Sequence, residues 1–201
     1  MDKSKNALLI FAKNPTLGKV KTRLAATIGN DRALQIYVQL LNHTQSVTND
    51  VAAIKIVFYS DFIAMNDIWD KGYLKNIQRG ADLGERMSTA FDKTLKKGFD
   101  KAVIIGTDCY DLTNAVIEDA FSALENHDVV IGPALDGCYY LLGMKNHYPQ
   151  LFNEMVWSTD TVFDDTLARC TDLKLSSFVL PVLSDIDNEK DLVNTNISGG
   201  I

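Results

Sequence analysis

The sequence predicts an α/β fold: a single three-layer α/β/α domain around a mainly parallel central sheet. Three observations lead there. Apolar runs such as residues 7–12, 53–59 and 102–106 are too short for ordinary helices. The latter two are rich in β-branched or aromatic residues, the pattern of buried strands. Between the runs stand segments with apolar residues at helical spacing, for example Leu34, Tyr37, Val38 and Leu41, or Leu83, Met87, Phe91 and Leu95. The 201 residues are 46% apolar and contain no linker, repeat or low-complexity stretch, so residues 1–201 read as one domain. Strands alternating with amphipathic helices imply a sheet covered on both faces, with ligands bound beyond the carboxyl ends of its strands.

Taken in order, the first strand is 7–12, followed by a loop broken at Pro15 and Gly18. Asn30 or Asp31 caps a helix to about Val47, and 53–59 is the second strand. A short helix is expected over 62–69 and a strand over 74–78, ending at Arg79-Gly80. Asp82 starts a helix to about Lys97. Residues 102–106 (AVIIG) are the clearest buried strand, expected at the centre of the sheet. Thr113 caps a helix carrying Ile117, Ala120, Phe121 and Leu124 on one face. Strands follow at 128–132 and 138–144, a helix from Asp160 to about Cys170, a strand within 175–182 and a helical turn at 188–193. The tail, 198–201, reads as mobile.

Composition narrows the function. The net charge is −6, so a local cluster of cations points to a small anionic ligand rather than to nucleic acid. No apolar run approaches the length of a membrane span, and the chain reads as cytoplasmic. Cys109, Cys138 and Cys170 are odd in number and widely spaced, which suits reduced thiols. His43, His127 and His147 show no metal-ligand spacing. The motifs GxxxxGK[ST], GxGxxG, GxSxG and HExxH are all absent.

The candidate chemistry lies in the loops after the strands. Lys13, Lys19, Lys21 and Arg23 follow the first strand with no acid among them, and Gly18 lets backbone approach closely. Such a cluster suits phosphate, although a solvated basic loop has the same composition. On either reading the loop is expected to add little to the core. Residues 79–87 (RGADLGERM) place Gly80 and Gly84 at a helix start, an anion site or an ordinary end capped by Asp82 and Glu85. Asp108 follows the central strand, where a carboxylate can hold Mg²⁺ bridged to a diphosphate. Asp111 competes as a helix cap. Asp136-Gly137 is a hairpin turn or presents a substrate-contacting carboxylate, and Tyr139 and Tyr140 face opposite sides of their strand. Asp185 and Asp187 offer a second metal contact, or Asp187 caps the last helical turn. Trp157 reads as core or rim.

The segments FAKNPTLGKVKTRL, GADLGERM, GTDCYDL, GPALDGCYYLLG and SDIDNEKDL, in that order, resemble the DUF2064 family of bacterial proteins. Members are commonly labelled glycosyltransferases, some of them as arsenosugar-biosynthesis enzymes associated with radical-SAM proteins. The resemblance spans about residues 7–195 and implies a nucleotide-diphospho-sugar transferase, with a GT-A fold. The basic loop is also similar to that of phospholactate guanylyltransferases, and DIDNEKDL resembles the ending of molybdenum-cofactor nucleotidyltransferases. Carried over by position, the resemblance puts nucleoside phosphates on Lys13, Lys21 and Arg23, with the 80–86 loop near the nucleoside. It puts Mg²⁺ or Mn²⁺ on Asp108 and Asp187. Tyr110 stands where the family usually has Pro, and Cys138 where it usually has a second Gly. These departures alter the turn after Asp108 and narrow the space beside Asp136.

The implied function is a metal-dependent glycosyltransferase with a nucleotide-sugar donor and a small-molecule acceptor, with Asp136 as base on the acceptor. A nucleotidyltransferase joining an NTP to a phosphorylated acceptor uses the same cations. A nucleotide-binding module without catalysis is the third reading.

Overall fold

A computed structural model of the chain describes residues 5–193, 195 and 197; the tail 198–201 lies outside the described residues. The elements are β1 (Asn6–Ala12), α1 (Thr22–Ile28), α2 (Asn30–Asn49), β2 (Ile54–Tyr59), β3 (Tyr73–Ile77), α3 (Leu83–Leu95), β4 (Lys101–Ile105), α4 (Asn114–Ala123), β5 (Val129–Pro133), β6 (Tyr139–Met144), α5 (Val162–Asp172) and β7 (Ser177–Val179). Single 3₁₀ turns occupy Pro149–Leu151 and Glu189–Leu192. The seven strands form one sheet in the order β3-β2-β1-β4-β6-β5-β7. Every pairing is parallel except those of β6, which runs antiparallel to β4 and β5.

β4 is central and wholly buried, as its unbroken apolar run requires of a strand covered on both faces. Its residues alternate between two cores. Val103 and Ile105 pack with Tyr37 and Leu41 of α2 and Ile117 and Phe121 of α4. Ala102 and Ile104 pack with Met87 and Phe91 of α3 and Cys170 of α5. A third, smaller core joins Leu24 of α1 and Ile36 and Leu40 of α2 to Ile186, beyond the last strand.

Several local expectations are corrected. Residues 62–69 form turns rather than a helix. Asp67 accepts hydrogen bonds there from the Trp69 amide (3.0 Å), the Tyr59 hydroxyl (2.6 Å) and the Lys75 ammonium (2.8 Å), a side-chain alternative to helical bonding. α1 was not anticipated, because it begins directly after the basic loop. α5 starts at Val162 rather than Asp160, since the Asp160 backbone is pressed against the turn at Gly137. A Cβ at Gly137 would lie 2.0 Å from the Asp160 carbonyl oxygen, and the turn has φ +84°. Thr113, not Asp111, caps α4, and Asn188, not Asp187, caps the last 3₁₀ turn in a reciprocal box with Asp191.

The loop after β6 is tied to α3 by a relay. The Ser88 hydroxyl lies 2.8 Å from His147 Nε2, and His147 Nδ1 lies 3.3 Å from Asp92. Burial holds the His147 pKa below its ordinary value despite the opposing pull of Asp92. A histidine depressed in the folded state is charged more readily when unfolded. Its stabilising contribution is therefore present above about pH 6.5 and lost as pH falls through the folded value. Thermal midpoints of wild type and His147→Asn should converge between pH 7.5 and pH 5 as the wild type loses this contribution.

Candidate active site

The site is assembled where β1 and β4 end. The backbone of Lys13 is held by Tyr37: the Lys13 amide donates to the Tyr37 hydroxyl (2.8 Å), which lies 3.0 Å from the Lys13 carbonyl and 3.3 Å from the Thr107 hydroxyl. Tyr37 thereby links α2, the basic loop and the end of β4. Burial, with the nearby Asp108 charge, pushes its pKa up, so the phenol stays a neutral hydrogen-bonding post. Next in sequence, buried Asn14 accepts from the Asp61 amide (3.0 Å) and donates to the Phe62 carbonyl (2.9 Å), fastening the basic loop to the loop after β2.

The carboxylates arrive from two directions. Asp108 follows β4. Asp187 comes from the chain after β7, which continues along β5 and then turns across the carboxyl ends of the strands. The Leu180 amide donates to Ile131 (2.9 Å), Leu183 to Pro133 (3.1 Å) and Ile186 to Asp108 (3.0 Å), while Cys109 and Asp185 form an antiparallel bridge. β7 itself stays at the sheet edge; the segment beyond it reaches the centre.

Lys21 sits between them. Its ammonium is 3.0 Å from Asp108 Oδ1 and 3.3 Å from Asp187 Oδ1, and its side chain is only 4% exposed. The residue adopts the left-handed conformation, φ 48° and ψ 46°, immediately before α1. The expectation that this loop adds little to the buried structure is thus wrong at Lys21. Burial pulls its pKa down, but the two carboxylates outweigh that and leave it raised. Arg23 meets the other oxygen of Asp187 at 3.4 Å from a 63% exposed position.

Asp185 stands in the same cluster. Burial, followed by the charge of Asp108, pushes its pKa up to about 7; Lys21 opposes this, and Asp136 and Asp187 add to it. Burial, followed by the charges of Asp136, Asp185 and Asp187, raises the Cys138 thiol to about 11, so it stays protonated while its Sγ donates to the Thr159 carbonyl (3.4 Å). Asp136 is exposed and accepts the Cys138 amide at 2.9 Å, the geometry of the hairpin turn.

The predicted residues separate into two groups. Lys21, Arg23, Asp108 and Asp187 converge, and Asp136 lies at the same end of the sheet. Lys13 is exposed beside them, and Gly18 forms a left-handed turn, φ +74°. Gly80 and Gly84 shape the start of α3. The Gly80 carbonyl accepts from Arg86 Nε (3.2 Å), and a Cβ at Gly84 would lie 2.3 Å from the Trp157 indole. Asp82 accepts the Glu85 amide (2.8 Å) and Glu85 accepts the Ala81 amide (2.7 Å), so the cap foreseen at this helix is present. Asn14 and Tyr37 went unrecognised in the sequence.

Among the described residues, no group of three or more His, Cys, Asp or Glu side chains is arranged to hold a metal ion unaided. Asp108 and Asp187 nevertheless converge on one cation, here an ammonium. Two carboxylates suit Mg²⁺, which keeps several waters and takes phosphate oxygens to complete its shell.

A twisted, mostly parallel sheet with this antiparallel strand and this acidic carboxyl end has the fold of nucleotide-diphospho-sugar transferases. The chain belongs to the DUF2064 family, described as an uncharacterized protein conserved in bacteria, whose model matches residues 43–159. It is 31% identical to a Desulfovibrio desulfuricans G20 protein provisionally described as a nucleotide-diphospho-sugar transferase. That crystal structure superposes with a TM-score of 0.86 over 94% of this chain and 85% of the other. The fold is shared with the inositol-1-phosphate CTP transferase of T. maritima (TM-score 0.62, 13% identity, 96% and 93% of the two chains). It is also shared with a CMP:2-keto-3-deoxy-manno-octonic acid synthetase complexed with CTP (TM-score 0.58, 11% identity, 94% and 95%). No functionally curated protein matches the sequence.

Asn14→Ala would strip the buried bonds between the first two loops. We expect a loss of about 2–3 kcal/mol, at about 1 kcal/mol per hydrogen bond plus a small cavity, measured by urea denaturation.

Proposed function

We propose that this protein is a divalent-metal-dependent glycosyltransferase that takes a nucleotide-sugar donor and a small-molecule acceptor. The observation that carries the reading is the convergence of Asp108 and Asp187 on one cationic point at the carboxyl end of the central strand. The described relatives support a transferase of this broad kind.

In this reading Asp108 and Asp187 hold Mg²⁺ or Mn²⁺, which supplies charge to stabilise the departing diphosphate. Lys13, Lys21 and Arg23 bind the phosphate oxygens from the basic loop, and the turn at Gly18 brings its backbone close. The loop around Gly80 and Gly84 borders the nucleoside. The bond from the anomeric carbon to the diphosphate breaks as the acceptor oxygen bonds to that carbon. Asp136, exposed on the hairpin, takes the acceptor proton. The buried sheet holds Asp108 rigidly, so its carboxylate needs little reorganisation.

A second reading is nucleotidyl transfer, in which an acceptor phosphate attacks the α-phosphate of an NTP and pyrophosphate leaves. The fold shared with the CTP-bound synthetase and the CTP transferase favours keeping it.

Incubation with panels of nucleotide sugars and NTPs, with and without Mg²⁺ or Mn²⁺, separates the two. Release of nucleoside diphosphate is expected; release of pyrophosphate selects the second reading, and binding without turnover of any donor refutes both. Asp108→Asn should abolish metal-dependent enhancement of nucleotide binding. Arg23→Ala should weaken nucleotide binding by roughly 1.5–3 kcal/mol, the range for a charged hydrogen bond, with calorimetry as the readout. Unchanged metal enhancement in Asp108→Asn would remove that residue from the site.

A further inference from the structure

Lys21 does something that a phosphate-binding lysine does not require: it closes the pair of carboxylates on itself. Its ammonium lies within hydrogen-bonding distance of both Asp108 and Asp187 and is shielded from solvent, whereas Arg23 reaches Asp187 from the exposed rim. A divalent ion held by the same two oxygens would stand within a few ångströms of that ammonium, and two such cations repel strongly at low dielectric. Lys21 must therefore leave before the metal enters. Its backbone is suited to a change of state, because a lysine at φ 48° sits in the left-handed region that L-residues other than glycine adopt only under strain. What draws the ammonium away is an anion strong enough to replace two carboxylates, and a diphosphate is such an anion.

We propose that Lys21 is an internal cation that keeps the Asp108–Asp187 pair closed to free divalent metal until a diphosphate draws its ammonium away. This rests on the metal-dependent reading above and adds an order of events to it. Metal alone binds poorly; a diphosphate and metal bind together, each raising the affinity for the other by the same factor. Between visits of the nucleotide, the lysine neutralises two carboxylates that would otherwise repel each other at the end of a buried strand.

The experiment is a Mn²⁺ titration followed by electron paramagnetic resonance and calorimetry, with inorganic pyrophosphate as the anion. Wild type alone should bind Mn²⁺ weakly, and pyrophosphate should tighten that binding. Lys21→Met keeps the length of the side chain without the charge. It should bind Mn²⁺ in the absence of any anion about ten-fold or more tighter than wild type, the worth of one hydrogen bond between charged groups. Its thermal midpoint should rise with Mn²⁺ more than that of wild type. Where the methionine variant does not fold, Lys21→Gln, which retains a donor for one carboxylate, takes its place with the same expectation. If the neutral variant binds Mn²⁺ no tighter than wild type while pyrophosphate still promotes wild-type binding, the closure by Lys21 is refuted and the metal site stands. If Mn²⁺ binds neither variant nor wild type with pyrophosphate, both fall together.

Discussion

The ion pair between Lys21 and the two aspartates at the end of β4 is the constraint on which the site depends. Four aspartates gather at one end of the sheet, and the geometry of the whole carboxyl edge follows from neutralising them. Asp108 follows a buried strand, and its carbonyl is held by the Ile186 amide at 3.0 Å. Asp187 is fixed by its own capping network, in which its amide and that of Asn188 both donate to Asp191 (3.0 and 2.7 Å). With both acids anchored, the cation must come to them. The left-handed turn at Lys21 and the start of α1 directly after it deliver that cation. Asp185 shows what the arrangement leaves uncompensated: a carboxylate in the same cluster, shifted up to about 7 chiefly by burial and then by the charge of Asp108, which the opposing pull of Lys21 does not cancel.

The rest of the fold supplies rigidity to this point. Tyr37 ties the loop to α2 and to Thr107, Asn14 ties it to the neighbouring loop, and Ile186 packs into the small core beneath α1 and α2. These contacts involve neutral groups, so they hold the charged residues without competing for their charges.

The centre of the sheet was legible in the sequence because β1, β4 and β5 are short, nearly continuous apolar runs, the signature of strands buried on both faces. The loops at the strand ends were legible for a related reason: Asp108 and the basic cluster follow such runs directly. The missed details depend on partners distant in the chain. Nothing local to residue 21 says that it is buried, because its carboxylates stand at 108 and 187. Asn14 and Tyr37 look like an ordinary loop residue and an ordinary helix residue until their hydrogen bonds are seen. The helix expected over 62–69 failed because Asp67 offers its carboxylate to the local backbone and to Tyr59 and Lys75, a competition that apolar spacing does not register.

The return of the chain from the sheet edge to its centre has a consequence for synthesis. Lys21 and Asp187 are separated by 166 positions, and the basic loop leaves the ribosome long before its second carboxylate is made. The strands β1, β2 and β4 can pair as soon as β4 emerges, which places Asp108, but Asp187 arrives only with the segment after β7. Between the synthesis of Asp108 and that of Asp187 a growing chain therefore carries an incomplete acidic cluster. The pairing of Asp108 with Asp187 through Lys21 is complete only when the segment after β7 has crossed the carboxyl ends of β5 and β4.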